Sequence, residues 1–344
     1  MNKPITIVGG GLAGLTLGIG LRKHHVPVIL WETGHYPRHR VCGEFISSHG
    51  QHSLAQLGLL NGLQNAGACL AATAAFFNGK EIMPACPLPE KALCISRFIL
   101  DEWLAREFQR LGGELRLGER WQGDFNEGIV RATGRRTKPS TDGWRLFGLK
   151  VHAQRIKMAA DLEMHFIPSG YVGLCRLANN EINICGLFRS KKPVPDLAQG
   201  WRDWLGGPKD SLLYSRLREA QFDENSFSSV AGLSLQPQRA AKLHECSIGD
   251  SLTMIPPVTG NGMSMAFESA ELAIEPLVKF SRGDLVWTQA QQQIAKTCDK
   301  KFTQRLRWAA WLQGMLFQST MRSALLFLGS RSDRLWHKFF ERTR

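Results

Sequence analysis

The sequence predicts an α/β protein that joins a parallel sheet to a second, antiparallel sheet and ends in a helical region. Three observations predict this fold class. A glycine-rich turn separates two apolar strands at the N terminus, short strands divided by turn residues follow one another from 144 to 188, and apolar residues recur at helical spacing from Leu285 onward. The 344 residues exceed the usual size of one domain, so we expect two interleaved lobes.

The N terminus has the pattern of a dinucleotide-binding βαβ unit. Ile5–Val8 is a β-branched run suited to a buried parallel strand, and Gly9, Gly11 and Gly14 follow it in GxGxxG spacing. Gly9 permits a tight turn, Gly11 lets the backbone approach a pyrophosphate, and Gly14 lets the next helix pack on the sheet.

The helix after this turn begins near Leu12 and Ala13, whose unpaired N–H groups would face the phosphates. Val28–Trp31 is the second strand and ends at Glu32, 18 residues past Gly14, where a carboxylate can accept hydrogen bonds from an adenosine ribose. Because strand, glycines, helix, strand and acid occur in order, the pattern favours a dinucleotide. NAD or FAD could occupy such a site.

The middle of the chain predicts a second sheet. Pro168-Ser169-Gly170 and Asn179-Asn180 are turn signals, and their spacing favours antiparallel pairing. The predicted strands are 144–153, 161–167, 170–177 and 181–188. We further expect helix over 197–222, an extended segment over 229–240 and helix from Leu285 onward.

The composition is that of an ordinary globular protein, with 43% hydrophobic and 21% charged residues. The eight cysteines form no CxxC pair and have no zinc-ligand spacing with histidine, so we expect reduced thiols and no bound metal. No apolar run reaches the length of a membrane span, and the apolar N-terminal segment lacks a small-residue cleavage site. These features favour a cytoplasmic protein, with a peripheral membrane contact as the alternative.

The net charge of +13 is concentrated near the C terminus. Residues 299–344 contain ten Lys or Arg and three acidic residues, a difference of +7. The excess favours an acidic carrier protein, a membrane surface or an anionic substrate as a partner, while a solvated basic face explains it equally well. No nucleic-acid recognition motif accompanies the basic residues, so we expect no nucleic-acid partner.

Four further segments resemble the flavoprotein family that includes p-hydroxybenzoate hydroxylase-type aromatic monooxygenases, geranylgeranyl reductases and flavin-dependent halogenases. Arg40-Val-Cys-Gly-Glu-Phe45 resembles the CGE element of the reductases, and Ser96–Asp101 with Trp103-Leu104 is similar to the family's "R..LD..L" helix start. Ala132–Arg135 lies where hydroxylases carry an Asp-Gly pair. Gly249–Gly262 resembles the "GD…P…G.G" segment nearly position by position.

The resemblance runs from residue 5 to about 280 and implies a Rossmann-type FAD-binding domain, glutathione-reductase-like and of the p-hydroxybenzoate hydroxylase type. This domain is interleaved with an antiparallel-sheet substrate domain and followed by a C-terminal helical region. The implied boundaries are 1–65, 93–136 and 240–283 for the FAD-binding domain, 66–92 and 137–239 for the substrate domain, and 284–344 for the helical region.

FAD is the implied cofactor and NAD(P)H the implied electron donor. Thr133 stands where hydroxylases carry an aspartate linked to FAD and NADPH, so direct use of NADPH is in doubt. The predicted cofactor-binding residues are Gly9, Gly11, Leu12, Ala13, Gly14, Glu32, Arg40, Cys42, Gly43, Arg97, Gly249, Asp250, Pro257, Gly260, Asn261, Gly262 and Met263.

The Gly249–Gly262 segment also makes physical sense without the resemblance. Asp250 would lie at the carboxyl end of a strand, where its carboxylate can accept hydrogen bonds from the polyol of a flavin. Gly260 and Gly262 let backbone N–H groups approach the flavin pyrimidine, and the following helix points its positive end at that ring. An ordinary proline-glycine turn before an amphipathic helix is the alternative.

Cys42 is the candidate catalytic residue, because the reductases place a cysteine near the flavin at the matching position. A small buried hydrophobe is the alternative reading. Arg40 and Glu44 either orient this loop and touch the cofactor or form a surface ion pair. His152 and His165 lie on predicted substrate-domain strands, where either could face the pocket, and no catalytic base is assigned.

The resemblance implies a monooxygenase that inserts oxygen into a lipophilic aromatic or prenylated substrate through a flavin C4a-hydroperoxide. An FAD-dependent alkene reductase is the alternative. A halogenase is less favoured because the WxWxIP motif is missing, and a non-catalytic flavin-bound docking protein stays open. The substrate is expected to be a hydrophobic small molecule, and the helical tail to cap its pocket.

Overall fold

The computed structural model describes residues 2–79, 81–82, 85–136, 143–194 and 196–324. The strands are β1 (Ile5–Val8), β2 (Val28–Glu32), β3 (Phe45–Ile46), β4 (Cys69–Asn78), β5 (Glu81–Ile82), β6 (Cys86–Cys94), β7 (Glu114–Leu117), β8 (Ile129–Arg131), β9 (Arg145–Gln154), β10 (Leu162–Ile167), β11 (Gly170–Arg176), β12 (Ile182–Ser190), β13 (Gln221–Leu233) and β14 (Cys246–Ser247). The helices are α1 (Leu12–Lys23), α2 (Ser48–Gln56), α3 (Leu60–Asn65), α4 (Arg97–Arg110), α5 (Leu197–Gly206), α6 (Leu212–Leu217), α7 (Gly262–Arg282) and α8 (Trp287–Leu316).

The first sheet is parallel and has the strand order β14-β8-β1-β2-β7. Ile5 and Ile7 of its central strand are fully buried, whereas Thr6 between them is only half-buried. Helix α1 packs against α4 and α7 through glycines: a Cβ on Gly18 would lie 2.8 Å from the Phe108 ring, and one on Gly20 would lie 2.3 Å from Ile274. The predicted βαβ unit therefore forms the centre of this lobe.

The second sheet has the order β13-β9-β12-β11-β10-β4-β6-β3, with β5 paired to β4. All its neighbours are antiparallel except β10 and β4, which run parallel. The four strands predicted between 144 and 188 all form. The sheet is thus built from two separate stretches of chain.

The predictions for 197–222 and 229–240 need correction. Helix ends with α6 at Leu217, and the extended segment is β13, which begins at Gln221 and ends at Leu233. β13 is an edge strand that pairs only with β9, and its register shifts between Asp223 and Ser228. A solvated edge strand carries no strict alternation, so its polar first half resembles a loop in sequence.

The predicted C-terminal helix is α8. Its apolar face joins the core of the parallel-sheet lobe, and the buried ion pair between Arg305 and Glu268 (2.7 Å) ties it to α7. Its last turn carries Leu312 and Leu316 onto the second sheet. Within the described part of the chain no helix is long and apolar enough to span a bilayer. Positions 325–344 of the predicted basic helical region lie outside the described residues.

Candidate cofactor and substrate cavity

A cavity of about 1230 Å³ lies between the two sheets. One part is lined by the carboxyl ends of the parallel strands and by the first turns of α1 and α7, and the other part by one face of the second sheet. Fifteen of the seventeen predicted cofactor-binding residues line it; Gly14 and Asn261 do not. Parallel strands offer ligand sites at their carboxyl ends, so this part of the cavity matches the predicted nucleotide site.

The glycine turn leaves open space where a pyrophosphate would lie. Gly9 has φ +113°, and a Cβ there would lie 2.3 Å from the carbonyl oxygen of Ala132. A Cβ on Gly14 would lie 1.9 Å from the Gly9 carbonyl oxygen, so Gly14 supports the turn from behind. A Cβ on Gly11 would meet nothing within 4 Å, and no side chain caps α1. The first N–H groups of α1 therefore remain free for an anion.

Glu32 holds the turn as well as lining the cavity. Its carboxylate accepts hydrogen bonds from the backbone N–H groups of Gly10 (2.8 Å) and Gly34 (2.9 Å) and pairs with Arg38 (2.8 Å). Burial opposes its ionisation, but Arg38 and these N–H groups outweigh burial and lower its pKa to about 2. Arg38 was not predicted, because its role is visible only once it reaches Glu32.

The end of the cavity beside Trp31 and Glu32 has an aromatic wall that sequence reasoning missed. Trp31 and Trp121 meet edge to face with ring centroids 5.3 Å apart, and Phe125 lines the same end beneath the guanidinium of Arg131 (3.7 Å). The buried indole N–H of Trp121 has no hydrogen-bond partner in the described chain. It is an orphaned donor at the edge of a nucleotide-shaped space.

The second predicted segment follows β14, as expected. Gly249 has φ +59° and its N–H donates to the Ser269 hydroxyl (2.9 Å). Asp250 is exposed to the cavity but surrounded by protein on its other sides, and desolvation raises the pKa of its carboxyl to about 6 although Arg97 and Arg135 oppose the rise. A polyol donor would suit this carboxylate because it would return the hydrogen bonds lost from water.

The turn before α7 is shaped by a close contact and an open space. Gly260 is left-handed (φ +65°), and a Cβ there would lie 2.1 Å from the Phe45 ring. A Cβ on Gly262 would meet nothing within 4 Å, and α7 has no side-chain cap. Asn261 is buried and accepts a hydrogen bond from the Ser47 hydroxyl (2.9 Å) instead of facing the cavity. The start of α7 thus presents free N–H groups to the cavity.

The Cys42-Gly43-Glu44 loop is held from both lobes. The Asn183 side chain donates to the carbonyl oxygen of Cys42 (2.9 Å), and Glu44 accepts a hydrogen bond from the backbone N–H of Arg97 (2.9 Å). Glu44 is 0% exposed and has φ +60°, so it is not a surface ion-pair partner of Arg40. Arg97 lines the cavity and forms a two-point ion pair with Asp101 (2.7 Å each).

A buried charged chain supports this loop. Glu44 contacts Nε2 of His152 (2.6 Å) and Nζ of Lys150 (3.6 Å), and Nδ1 of His152 contacts Glu181 (3.2 Å). Lys150 also contacts Nδ1 of His39 (2.9 Å), which lines the cavity. Although burial opposes it, the two carboxylates raise the pKa of His152.

Neither histidine singled out from the sequence lines the cavity. His152 bridges two carboxylates, and His165 pairs with Glu163 (2.8 Å) and stacks on Phe77. Lys150 was missed, yet Lys150 and His152 alternate on one strand with the apolar Leu149, Val151 and Ala153. Two charged residues at period 2 on an otherwise apolar strand could have indicated a buried polar face.

Cys42 lines the cavity beside Arg97. Burial raises the pKa of its thiol above the ordinary value, and nearby Arg97 only partly offsets this rise. The thiol is therefore protonated at neutral pH, which suits a proton donor better than a thiolate nucleophile. In the described chain no three His, Cys, Asp or Glu side chains form a metal-binding group.

The far part of the cavity is apolar. Side chains from four neighbouring strands face it, and the last turn of α8 covers it; the main contributors are Phe76, Met164, Phe166, Leu187, Leu312 and Leu316. A Cβ on Gly173 would meet only backbone oxygens, at 3.6 Å or more, so space remains over the centre of the sheet. This part suits a hydrophobic ligand.

No family model matches the chain. Conditioned medium factor receptor 1 of Dictyostelium discoideum is 24% identical over 333 residues, an alignment that covers 82% of this chain. The chain spans 64% of the length of that curated relative.

Solved structures match nearly the whole chain. The flavoprotein/dehydrogenase of Cytophaga hutchinsonii has a TM-score of 0.77 at 15% identity, with 99% of this chain and 91% of that chain covered. The flavin-dependent brominase Bmp2 has a TM-score of 0.74 at 14% identity, with 100% of this chain and 93% of that chain covered. The halogenase PltM, in complex with phloroglucinol and FAD, has a TM-score of 0.72 at 14% identity, with 98% of this chain and 85% of that chain covered. Identities this low show the fold, and the predicted fold class is confirmed: the chain has the p-hydroxybenzoate hydroxylase-type flavoprotein fold.

Proposed function

We propose that the chain binds FAD in this cavity and is an FAD-dependent oxidoreductase. The observation that carries the proposal is the continuity of one cavity from the glycine turn, past the start of α7, to the apolar face of the second sheet. A dinucleotide-like cofactor needs an anion site at one end and a reactive ring beside the substrate at the other. The solved structures that share the fold include flavin-dependent enzymes.

The residues of this chain would hold the cofactor in a defined order. Gly11 and the first N–H groups of α1 would bind the diphosphate, and Asp250 would accept hydrogen bonds from the polyol. The free N–H groups at Gly262 and Met263 would meet the ring, with the positive end of α7 behind them. Bound FAD would supply the redox chemistry, while the surrounding side chains orient the substrate and exclude water.

The reaction we propose is oxygen insertion into a lipophilic aromatic or prenylated substrate, with NAD(P)H as the electron donor. The apolar lining supports a hydrophobic substrate, because few polar groups reach that part of the cavity. The fold is shared with a halogenase whose solved complex contains phloroglucinol, an electron-rich ring. Oxygen transfer to such a carbon is the chemistry that this environment would favour.

A second candidate is reduction of an alkene double bond in a prenyl substrate. It is favoured by the Cys42 thiol, which lines the cavity and is protonated at neutral pH. Saturating a double bond needs a hydride at one carbon and a proton at the other, and this thiol could give the proton. The Arg97 guanidinium beside it would then stabilise the thiolate that forms.

Two further candidates have less support. A halogenase shares the fold, but the sequence lacks the WxWxIP motif. A non-catalytic flavin-bound docking protein is suggested by the receptor name of the curated relative. Its partner would be an acidic carrier protein or a membrane surface that contacts the basic C-terminal region.

The first experiment is an absorption spectrum of the purified protein, followed by anaerobic addition of NADPH. We expect a flavin spectrum that bleaches with NADPH or with a partner reductase, and oxygen consumption that rises with a lipophilic phenol. Anaerobic saturation of a polyprenyl substrate that disappears in Cys42→Ala, with FAD still bound, would instead establish the reductase. A folded protein that remains colourless and takes up no FAD would contradict the proposal.

A further inference from the structure

Two arginines stand at the outer side of the apolar part of the cavity. Arg322 is 8% exposed, and it donates from Nε to the Asn78 side-chain oxygen (3.0 Å) and from Nη1 to the Leu316 carbonyl (3.5 Å). Arg189, on β12, donates from Nη2 to the Phe317 carbonyl (2.7 Å). Every acceptor is neutral, although guanidinium groups pair best with carboxylate or phosphate.

Aromatic rings hold the two guanidinium groups in place. Arg189 lies between the rings of Trp144 (4.5 Å) and Phe317 (4.4 Å), and Lys191 faces the same Trp144 ring (5.1 Å). Arg322 lies 5.9 Å from the centroid of Phe166. These contacts limit the movement of the two cations.

Among the described residues, no carboxylate balances the positive charge of this arginine pair. No ion pair joins either arginine to a carboxylate in the described chain, and desolvation lowers the pKa of both. The charge of Arg189 also lowers the pKa of Arg322. The accepting carbonyls belong to the end of α8, whose dipole supplies about half a negative charge against two cations. A net positive charge therefore remains.

The arginine pair is one side chain away from the cavity. Phe166 and Leu316, which contact Arg322, both line the apolar part. Arg189 contacts Phe317, the residue that follows Leu316. Neither arginine lines the cavity itself, so a charged end group would reach the guanidinium groups only where the side chains of Phe166, Leu316 and Phe317 give way.

We infer that Arg189 and Arg322 bind the carboxylate or phosphate group of an amphiphilic small molecule whose apolar part occupies the substrate part of the cavity. The inference rests on the proposed function, because it names the substrate class for the same cavity. It also gives a specific role to part of the positive charge near the end of α8. Free inorganic phosphate shares the headgroup chemistry but lacks the apolar part.

The test measures binding to the FAD-loaded full-length protein at low ionic strength by titration calorimetry. The probes are dodecanoate, dodecyl phosphate, uncharged dodecanol and inorganic phosphate. The variants are Arg189→Gln and Arg322→Gln, and the control is Arg202→Gln, an exposed arginine that also stacks on an aromatic ring, Trp201. A fall in tryptophan fluorescence on binding that disappears in Trp144→Phe gives a second readout close to the site.

We expect the wild type and Arg202→Gln to bind one charged amphiphile about tenfold more tightly than dodecanol, and each test variant to lose that preference. The tighter of dodecanoate and dodecyl phosphate identifies the headgroup, and competition by inorganic phosphate alone would identify the free ion. Equal binding of dodecanol, no binding of any amphiphile, or an unchanged preference in both variants would overturn the inference. Failure to bind FAD would instead contradict the proposed function, since the arginine pair lies outside the part of the cavity that the glycine turn and the first turns of α1 and α7 line.

Discussion

Two parts of the cavity are built in opposite ways. The nucleotide part lies at the Gly9–Gly14 turn and the start of α7, and the apolar part lies over the second sheet. In the nucleotide part, glycines touch neighbouring backbone so closely that a Cβ on Gly9 or Gly14 would lie within 2.3 Å of an oxygen. In the apolar part, Gly173 faces open space, and the buried Tyr171 hydroxyl has no hydrogen-bond partner in the described chain. The first part specifies one ligand shape, while the second specifies little more than hydrophobicity.

The Cys42-Gly43-Glu44 loop lies between these two parts. We expect loss of the Glu44 charge to have the largest effect on the free energy of unfolding. In Glu44→Gln, the buried Lys150 and His152 lose the carboxylate that both of them contact. We expect the free energy of unfolding to fall by about 3–5 kcal/mol, measured by urea denaturation. Glu219→Gln is the control, since Glu219 is exposed and pairs only with Arg218, and should change stability by less than about 0.5 kcal/mol. A loss below about 1 kcal/mol in Glu44→Gln would show that the loop does not need this charge.

The crowding of the nucleotide part predicts the next effect. Gly9→Ala combines a positive φ with a steric overlap, so we expect it to lower the free energy of unfolding by about 2–4 kcal/mol. Gly11→Ala has an ordinary φ of −82° and no neighbour within 4 Å, so it should fold normally and weaken FAD binding about tenfold or more. Denaturation and flavin-fluorescence titration separate the two outcomes. If Gly9→Ala and Gly11→Ala changed stability and FAD affinity to the same extent, the distinction between supporting and cofactor-facing glycines would be wrong.

The openness of the apolar part predicts a separate effect on ligands. Gly173→Leu fills space over the sheet without touching the nucleotide part, so dodecanol binding should weaken about tenfold while FAD affinity changes less than about twofold. Gly200→Ala is the control, because Gly200 is also uncrowded and lies outside the cavity. Unchanged dodecanol binding in Gly173→Leu would mean that the substrate lies elsewhere.

The smallest effect concerns pH. The carboxyl of Asp250 has a pKa of about 6 in the folded protein against 3.8 ordinarily, so the folded state binds the proton more tightly than the unfolded state. Its contribution is fully present below the unfolded pKa and is lost as pH rises through about 6. Because this group is open to the cavity, we expect less than about 1 kcal/mol. The Tm of the apoprotein should therefore decrease less between pH 5 and pH 8 in Asp250→Asn than in the wild type. An equal decrease in both proteins would contradict the raised pKa of Asp250 as its cause.

The sequence predicted the parts of the site that depend on neighbours along the chain. The Gly9–Gly14 turn and the Gly249–Gly262 segment each have their own local chemistry, so their spacing was informative. Lys150 escaped prediction because its partner Glu44 lies 106 positions earlier in the sequence. Trp121 and the Arg189–Arg322 pair escaped for the same reason: their surroundings are assembled only when distant strands and helices meet. β13 was misplaced because an edge strand has one solvated side and no apolar period.

The strand order of the parallel sheet has a consequence for biosynthesis. β14 completes that sheet beside β8, yet it is made more than 110 residues later, and Gly249 must then pack over Ala13. The two halves of the cofactor cradle therefore leave the ribosome far apart in time. If the cavity binds FAD as proposed, a nascent chain arrested before Cys246 would lack the Gly249–Gly262 segment, and we expect it to hold no flavin.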